Sequence, residues 1–88
     1  MQHKPTSRAR DAQTITLGAA VRELRAMRVL SQEELGFRAQ LHRNYVGAIE
    51  RGEINPTFRT LLTLATGLDV RLSSIIRLAE LRAARAAR

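Results

Sequence analysis

The chain has no cysteine among its 88 residues. Neither a disulfide framework nor a thiolate metal site is therefore open to it. Its two histidines, His3 and His42, stand far apart in sequence and form no ligand cluster, so no metal and no other cofactor is expected. No uninterrupted apolar run approaches the ~18 residues that a membrane-spanning helix needs. The N-terminus carries basic residues but lacks the apolar stretch of a secretory signal. The expectation is a cytoplasmic protein with no membrane contact. Catalysis is also poorly provided for. There is no nucleophile–base pair, no metal cluster and no phosphate-cradling glycine loop. The five glycines are scattered as caps and turns. Ser73-Ser74 reads as a helix start, not as a nucleophile. No enzyme is expected.

Acidic residues are few as well. Eight stand against fifteen lysines and arginines, a net charge of +7. The excess is uneven. Residues 1–14 hold Lys4, Arg8 and Arg10 against Asp11, and residues 71–88 hold five arginines against Glu80. Residues 15–70 hold seven arginines against six acids, so the middle of the chain is almost neutral. Such a balance supports polyanion binding in general. Within the middle, Arg38, Arg43, Arg51 and Arg59 gather in or around one motif.

The length allows one small all-α domain with a modest core and no separate catalytic domain. Residues 1–13 are polar, basic and carry Pro5, and are expected to form a disordered arm. Residues 14–81 read as the folded domain and 82–88 as a basic helical extension or tail. Five helices follow from the pattern. Thr14 or Thr16 caps the first, whose inward stripe is Leu17, Val21, Leu24 and Arg28, centred on Leu24. Ser31 and Glu34 form a capping box for the second, which ends near Ala39. The third starts near His42 or Arg43 and stops at Gly52. Thr57 caps the fourth, lined by Leu61, Leu64, Ala65 and Leu68. The fifth starts near Leu72 or Ser73 and carries Ile75 and Ile76.

Ser31 to Gly52 carries the most information. Leu35, Gly36 and Ala39 share one face of the first helix of this stretch, and Val46 and Ile49 one face of the second. Leu41 fills the turn between them, and the small Gly36 lets the two helices cross closely. Arg43, Asn44 and Arg51 lie on exposed positions, and both residue types pair with base edges and phosphates. This is the layout of a helix-turn-helix that places its second helix in the major groove.

The segment resembles the phage-repressor and Cro-like helix-turn-helix regulators, the Xre type. The likeness runs over roughly residues 15–78 and rests on LSQEEL, the LHRNY start and IERGEINPT taken together. It implies a compact five-helix, lambda-repressor-like domain that binds double-stranded DNA. It also implies a homodimer on an inverted repeat, joined around Leu72, Ile75, Ile76 and Ala79, although these apolar residues equally suit the monomer core. Gln32, at the start of its helix, would bond a phosphate and brace the recognition helix. Arg43 and Asn44 would reach bases, Arg to guanine and Asn to adenine. Tyr45 would lie against the DNA or else pack on the neighbouring helix. Ala48 would meet a thymine methyl. His42 is either a helix cap or a phosphate ligand. Arg51, Asn55, Thr57 and Arg59 surround the loop that the family lays along phosphates. Arg25 and Glu50 would form a partly buried structural ion pair.

Two departures from the family pattern stand out. Gln40 occupies a turn position that is usually glycine, which predicts an altered turn geometry. Phe37 replaces a charged, exposed residue and is expected to pack on the first helix, with a protein contact as the alternative. That alternative is a protein-interaction module such as a toxin-binding antitoxin.

Overall fold

The computed structural model describes residues 11–87, and the helices in it are α1 (Ala12–Met27), α2 (Gln32–Ala39), α3 (Arg43–Glu50), α4 (Phe58–Leu68) and α5 (Leu72–Ala86). The basic arm expected at residues 1–13 lies outside the described residues as far as residue 10. Its last residues are ordered: Asp11 caps α1, accepting the Thr14 backbone N–H on Oδ1 at 2.7 Å. The expected caps, Thr14 and Thr16, are thus inside the helix. Aspartate is the stronger capping residue, and its charge faces the positive end of the helix dipole. The same bond holds the Asp11 carboxyl below its ordinary range.

The other starts follow local chemistry. Ser31 Oγ accepts the Glu34 N–H at 2.9 Å while Glu34 Oε1 accepts the Ser31 N–H at 2.7 Å, a complete capping box. The Ser31 N–H, with the Ser31 hydroxyl beside it, holds the Glu34 carboxyl below its ordinary range. Thr57 Oγ1 accepts the Thr60 N–H at 3.1 Å and opens α4. α5 begins at Leu72 with no side-chain cap.

Helix ends are less conventional. Gly52 follows α3 at φ 75°, as expected, but Val29, Gln40 and Asp69 end their helices at φ 57–59°. Each is a side-chain-bearing residue in the left-handed region, which costs roughly 1–2 kcal/mol. The altered turn expected at Gln40 does not occur. Gln40 adopts φ 59°, ψ 42°, the conformation that a glycine would supply. The reason lies in the packing on both sides. A Cβ built on Gly36 would collide with the Leu41 carbonyl oxygen, so α2 and the turn already touch backbone to backbone. The Leu41 N–H closes the turn on the Gly36 carbonyl at 2.7 Å. Relief of the strain, less the entropy that glycine loses on folding, predicts that Gln40→Gly stabilises by about 0.5–1 kcal/mol. Urea midpoints at equal m-value check this; a lower midpoint for the variant would contradict it.

The core gathers residues from every helix. Val21, Leu35, Val46, Ile49, Leu64, Leu68 and Ile75 have no exposed surface. Val21, rather than Leu24, is the centre of the α1 stripe; Leu17 and Leu24 are half-buried. Arg28 points outward and donates from Nη2 to the Asp69 carbonyl at 2.8 Å. Phe37 does not pack on α1: it is 86% exposed. α2 turns Leu35, Gly36 and Ala39 inward, and Phe37 falls on the opposite side of the helix. α5 lies along α1 and runs unbroken past residue 81 to Ala86. Arg82 is tied to Glu23 of α1 by Nε and Nη2 contacts of 3.0 and 2.5 Å. Among the described residues no helix is long and apolar enough to cross a membrane.

Candidate nucleic-acid interface

α3 presents one face to the core and one to solvent. Val46 and Ile49 are buried, whereas Arg43 and Asn44 are exposed on its first turn. His42 is the N-cap: its Nδ1 accepts the Asn44 N–H at 2.9 Å. That bond caps the turn that carries Arg43 and Asn44, which favours the capping reading of His42. Arg43 Nη1 stands 3.8 Å from a Glu33 carboxylate oxygen, with both side chains largely in water. A pair this open and this long holds Arg43 only loosely. Tyr45 is half-buried and packs against the core, the plainer of its two expected places. Ala48 is half-buried on the same helix.

A polar network sets the attitude of α3 against α1 and α2. Arg25 donates from Nε to Glu50 Oε2 at 2.6 Å and from Nη2 to Glu50 Oε1 at 3.0 Å. It also donates from Nη1 to the Leu30 carbonyl at 2.7 Å. Gln32 Nε2 donates to the same Glu50 Oε1 at 3.0 Å. The Glu50 side chain is only 2% exposed, so this carboxylate lives on its partners rather than on water. The bonds to Glu50 hold the Arg25 guanidinium above its ordinary range. Gln32 thereby takes up the bracing part of its expected role.

The loop after α3 carries a second group. Arg51, Asn55, Thr57 and Arg59 are all exposed on residues 51–59. Gly52 sets the start of this loop hard against α1: a Cβ there would lie 2.9 Å from the Ile15 Cα. Arg51 is engaged by Glu53, Nε to Oε2 at 3.0 Å and Nη2 to Oε1 at 3.2 Å. The Glu53 carboxylate holds the Arg51 guanidinium above its ordinary range. Glu53 and Glu33 were not singled out as partners from the sequence. Residues two apart do not face each other on a helix, and only the turn at Gly52 brings Glu53 back onto Arg51.

Of the four positions expected at a dimer contact, Ile75 is fully buried within the monomer and is part of its core. With no exposed surface on the monomer, it offers nothing for a second chain to touch. Ile76 remains 38% exposed, and Leu72 and Ala79 are half-buried. Phe58 and Leu62 on α4 are exposed apolar side chains that the sequence pattern did not mark. Among the described residues no group of three or more potential metal ligands occurs.

Comparison with known proteins places this geometry. A helix-turn-helix family model matches residues 21–75. The control protein C.SmaI of Serratia marcescens is 40% identical over 60 residues, covering 68% of this chain and 71% of that protein. The immunity repressor protein of Bacillus phage phi105 is 36% identical over 62 residues; the match covers 70% of this chain but only 43% of the repressor. The crystal structure of the restriction-modification controller protein C.AhdI from Aeromonas hydrophila superposes with a TM-score of 0.73 at 42% identity. It covers 74% of this chain and 98% of that one. The clp gene regulator ClgR of Corynebacterium glutamicum shares the fold with a TM-score of 0.84 at 23% identity, over 90% of this chain and 84% of that one.

Proposed function

The chain belongs to the Xre-type helix-turn-helix family of DNA-binding transcription regulators, and from that premise we propose that it represses transcription, its own included, as a homodimer on an inverted-repeat operator. One observation carries the reading: Arg43 and Asn44 stand exposed and capped at the start of α3, on a helix locked to the core by Arg25, Glu50 and Gln32. A rigid helix presenting two base-pairing side chains in fixed register is what major-groove readout requires.

Arg43 reads guanine through O6 and N7, and Asn44 reads adenine through N6 and N7. Ala48 completes the base-facing set, against a thymine methyl. Gln32, Arg51, Asn55, Thr57 and Arg59 hold phosphates on either side, while His42 serves as the cap of α3. With no polar side chain at Gly47 or Ala48, DNA shape supplies part of the specificity. Ile76, with the half-buried Leu72 and Ala79, forms the α5 side of the dimer contact. Half-sites then lie about one helical turn apart. The folded domain takes in Asp11 through Ala86, wider than the 14–81 read from the sequence, and the basic residues toward either end add phosphate contacts.

Selection of bound duplexes from a random library at ~150 mM salt tests the reading. Enrichment of an inverted repeat is the expected result. Arg43→Ala is expected to relax preference at one position of each half-site, a loss of about 1–3 kcal/mol of discrimination, with the fold intact. Arg59→Ala is expected to weaken all sequences alike and lower the salt slope by about 1. An Arg43→Ala variant that weakens every sequence equally would remove Arg43 from the base readers.

A second reading has one observation in its favour. Phe37 is a large aromatic side chain held in water on α2, suited to a protein partner such as a toxin. Failure of any duplex to be enriched, with binding that vanishes as salt rises, would bring that reading forward.

A further inference from the structure

Arg51 and Gln32 come from different helices, yet their polar ends converge over Gly47. A Cβ built on Gly47 would lie 3.0 Å from Arg51 Nη1, 3.2 Å from Gln32 Oε1 and 3.5 Å from Gln32 Nε2. The absence of a side chain at 47 is what leaves room for the two groups. Long side chains on a helix lean toward its N-terminus, and Arg51, at the end of α3, reaches back one turn to this spot.

Arg51 alone has too many rotamers to be found there by default. Glu53 removes that freedom. Its two carboxylate oxygens take Nε and Nη2 in the planar, forked arrangement that suits a guanidinium. With those two nitrogens engaged by Glu53, Nη1 is the nitrogen turned toward Gly47 and Gln32. Gln32 is itself held, because its Nε2 donates to the buried Glu50.

We propose that Glu53 is a positioning residue for DNA binding: it aims Arg51 Nη1 beside the Gln32 amide, so that the two close on one backbone phosphate without Arg51 leaving Glu53. The proposal rests on the reading that this face of α3 meets DNA. It assigns a favourable role to an acidic side chain beside a polyanion. Through-space electrostatics predicts the opposite sign, since removing a negative charge near DNA strengthens binding. The sign of the effect therefore decides the matter.

The test is a double-mutant cycle on the full chain, with affinity for the selected operator duplex as readout. Glu53→Ala is expected to weaken binding by about two- to tenfold, the cost of ordering one freed long side chain. In an Arg51→Ala background the same substitution is expected to leave binding unchanged or to strengthen it. Arg51→Ala alone is expected to lower the salt slope by about 1. Thermal midpoints are read alongside, and the exposed Glu53 variant is expected to keep that of the parent. Two results would overturn the proposal: Glu53→Ala strengthening binding equally in both backgrounds, or strengthening it only while Arg51 is present. The second would make Glu53 a competitor of the phosphate. A parent protein that selects no operator would instead overturn the DNA reading beneath it.

Discussion

Arg25→Ala is expected to destabilise the domain by about 3–5 kcal/mol, a large share of the 5–15 kcal/mol that holds a typical domain together. The magnitude comes from what is left behind. Glu50 keeps its charge in a site where its side chain is 2% exposed, with the Gln32 amide as the donor that stays on it from this network. The Leu30 carbonyl loses its Arg25 donor at the same time. Arg25 is itself 17% exposed, so water reaches one side of the pair and the lower part of the range applies. An apolar exchange of both partners, Arg25→Met with Glu50→Leu, is expected to recover most of the loss, because no buried charge is then stranded. Urea unfolding of the two variants measures this directly. A loss below about 1 kcal/mol for Arg25→Ala would mean that the pair behaves as an exposed one.

The second large effect is expected at Gly18. Glycine to alanine on an exposed face of a helix interior stabilises by roughly 0.5–1 kcal/mol. Here the sign is expected to reverse. A Cβ on Gly18 would overlap the Ile49 carbonyl oxygen outright and would come within 2.9 Å of the Glu50 carbonyl oxygen. These are backbone atoms at the end of α3, so no side-chain rotation relieves the clash. Overpacking of this kind costs about 1–3 kcal/mol, or more where backbone must move. The movement would tilt the recognition helix away from α1. Gly18→Ala is therefore expected to lower both the urea midpoint and operator affinity. Unchanged affinity in a destabilised variant would mean that α3 keeps its place while α1 gives way.

Much of this architecture was legible because local rules govern it. The Ser31–Glu34 box, the Thr57 cap and the glycine at 52 are short-range events, and each occurs where the pattern puts it. The Arg25–Glu50 pair was legible only through family likeness, since nothing local links residues 25 apart. The failures have physical causes. Asp11 does not stand out as a cap in the sequence, because it ends a polar run that reads as one arm. Gln40 was read from its backbone preference alone, but packing at Gly36 and Leu41 holds the turn against that preference. At Phe37 helical phase decides: it opposes the ring to Leu35 and turns it to water. Ile75 and Ile76 are adjacent apolar residues, and composition alone does not say which one turns inward. The Glu23–Arg82 contact joins residues 59 apart and has no local signal at all.

The positions of α3 differ in how freely evolution or a designer can rewrite them. The exposed Arg43 and Asn44 side chains bond nothing that the core depends on, so substitution at those positions is expected to leave folding alone. Position 47 obeys other terms. Any side chain introduced there meets Gln32 and Arg51 at once, and Gln32 holds the buried carboxylate that locks α3 to α1. A side chain introduced at position 47 thus disturbs the scaffold, whatever it adds to DNA binding. Diversification of this regulator is expected to run through 43 and 44 first, and to reach 47 only together with a compensating change at 32.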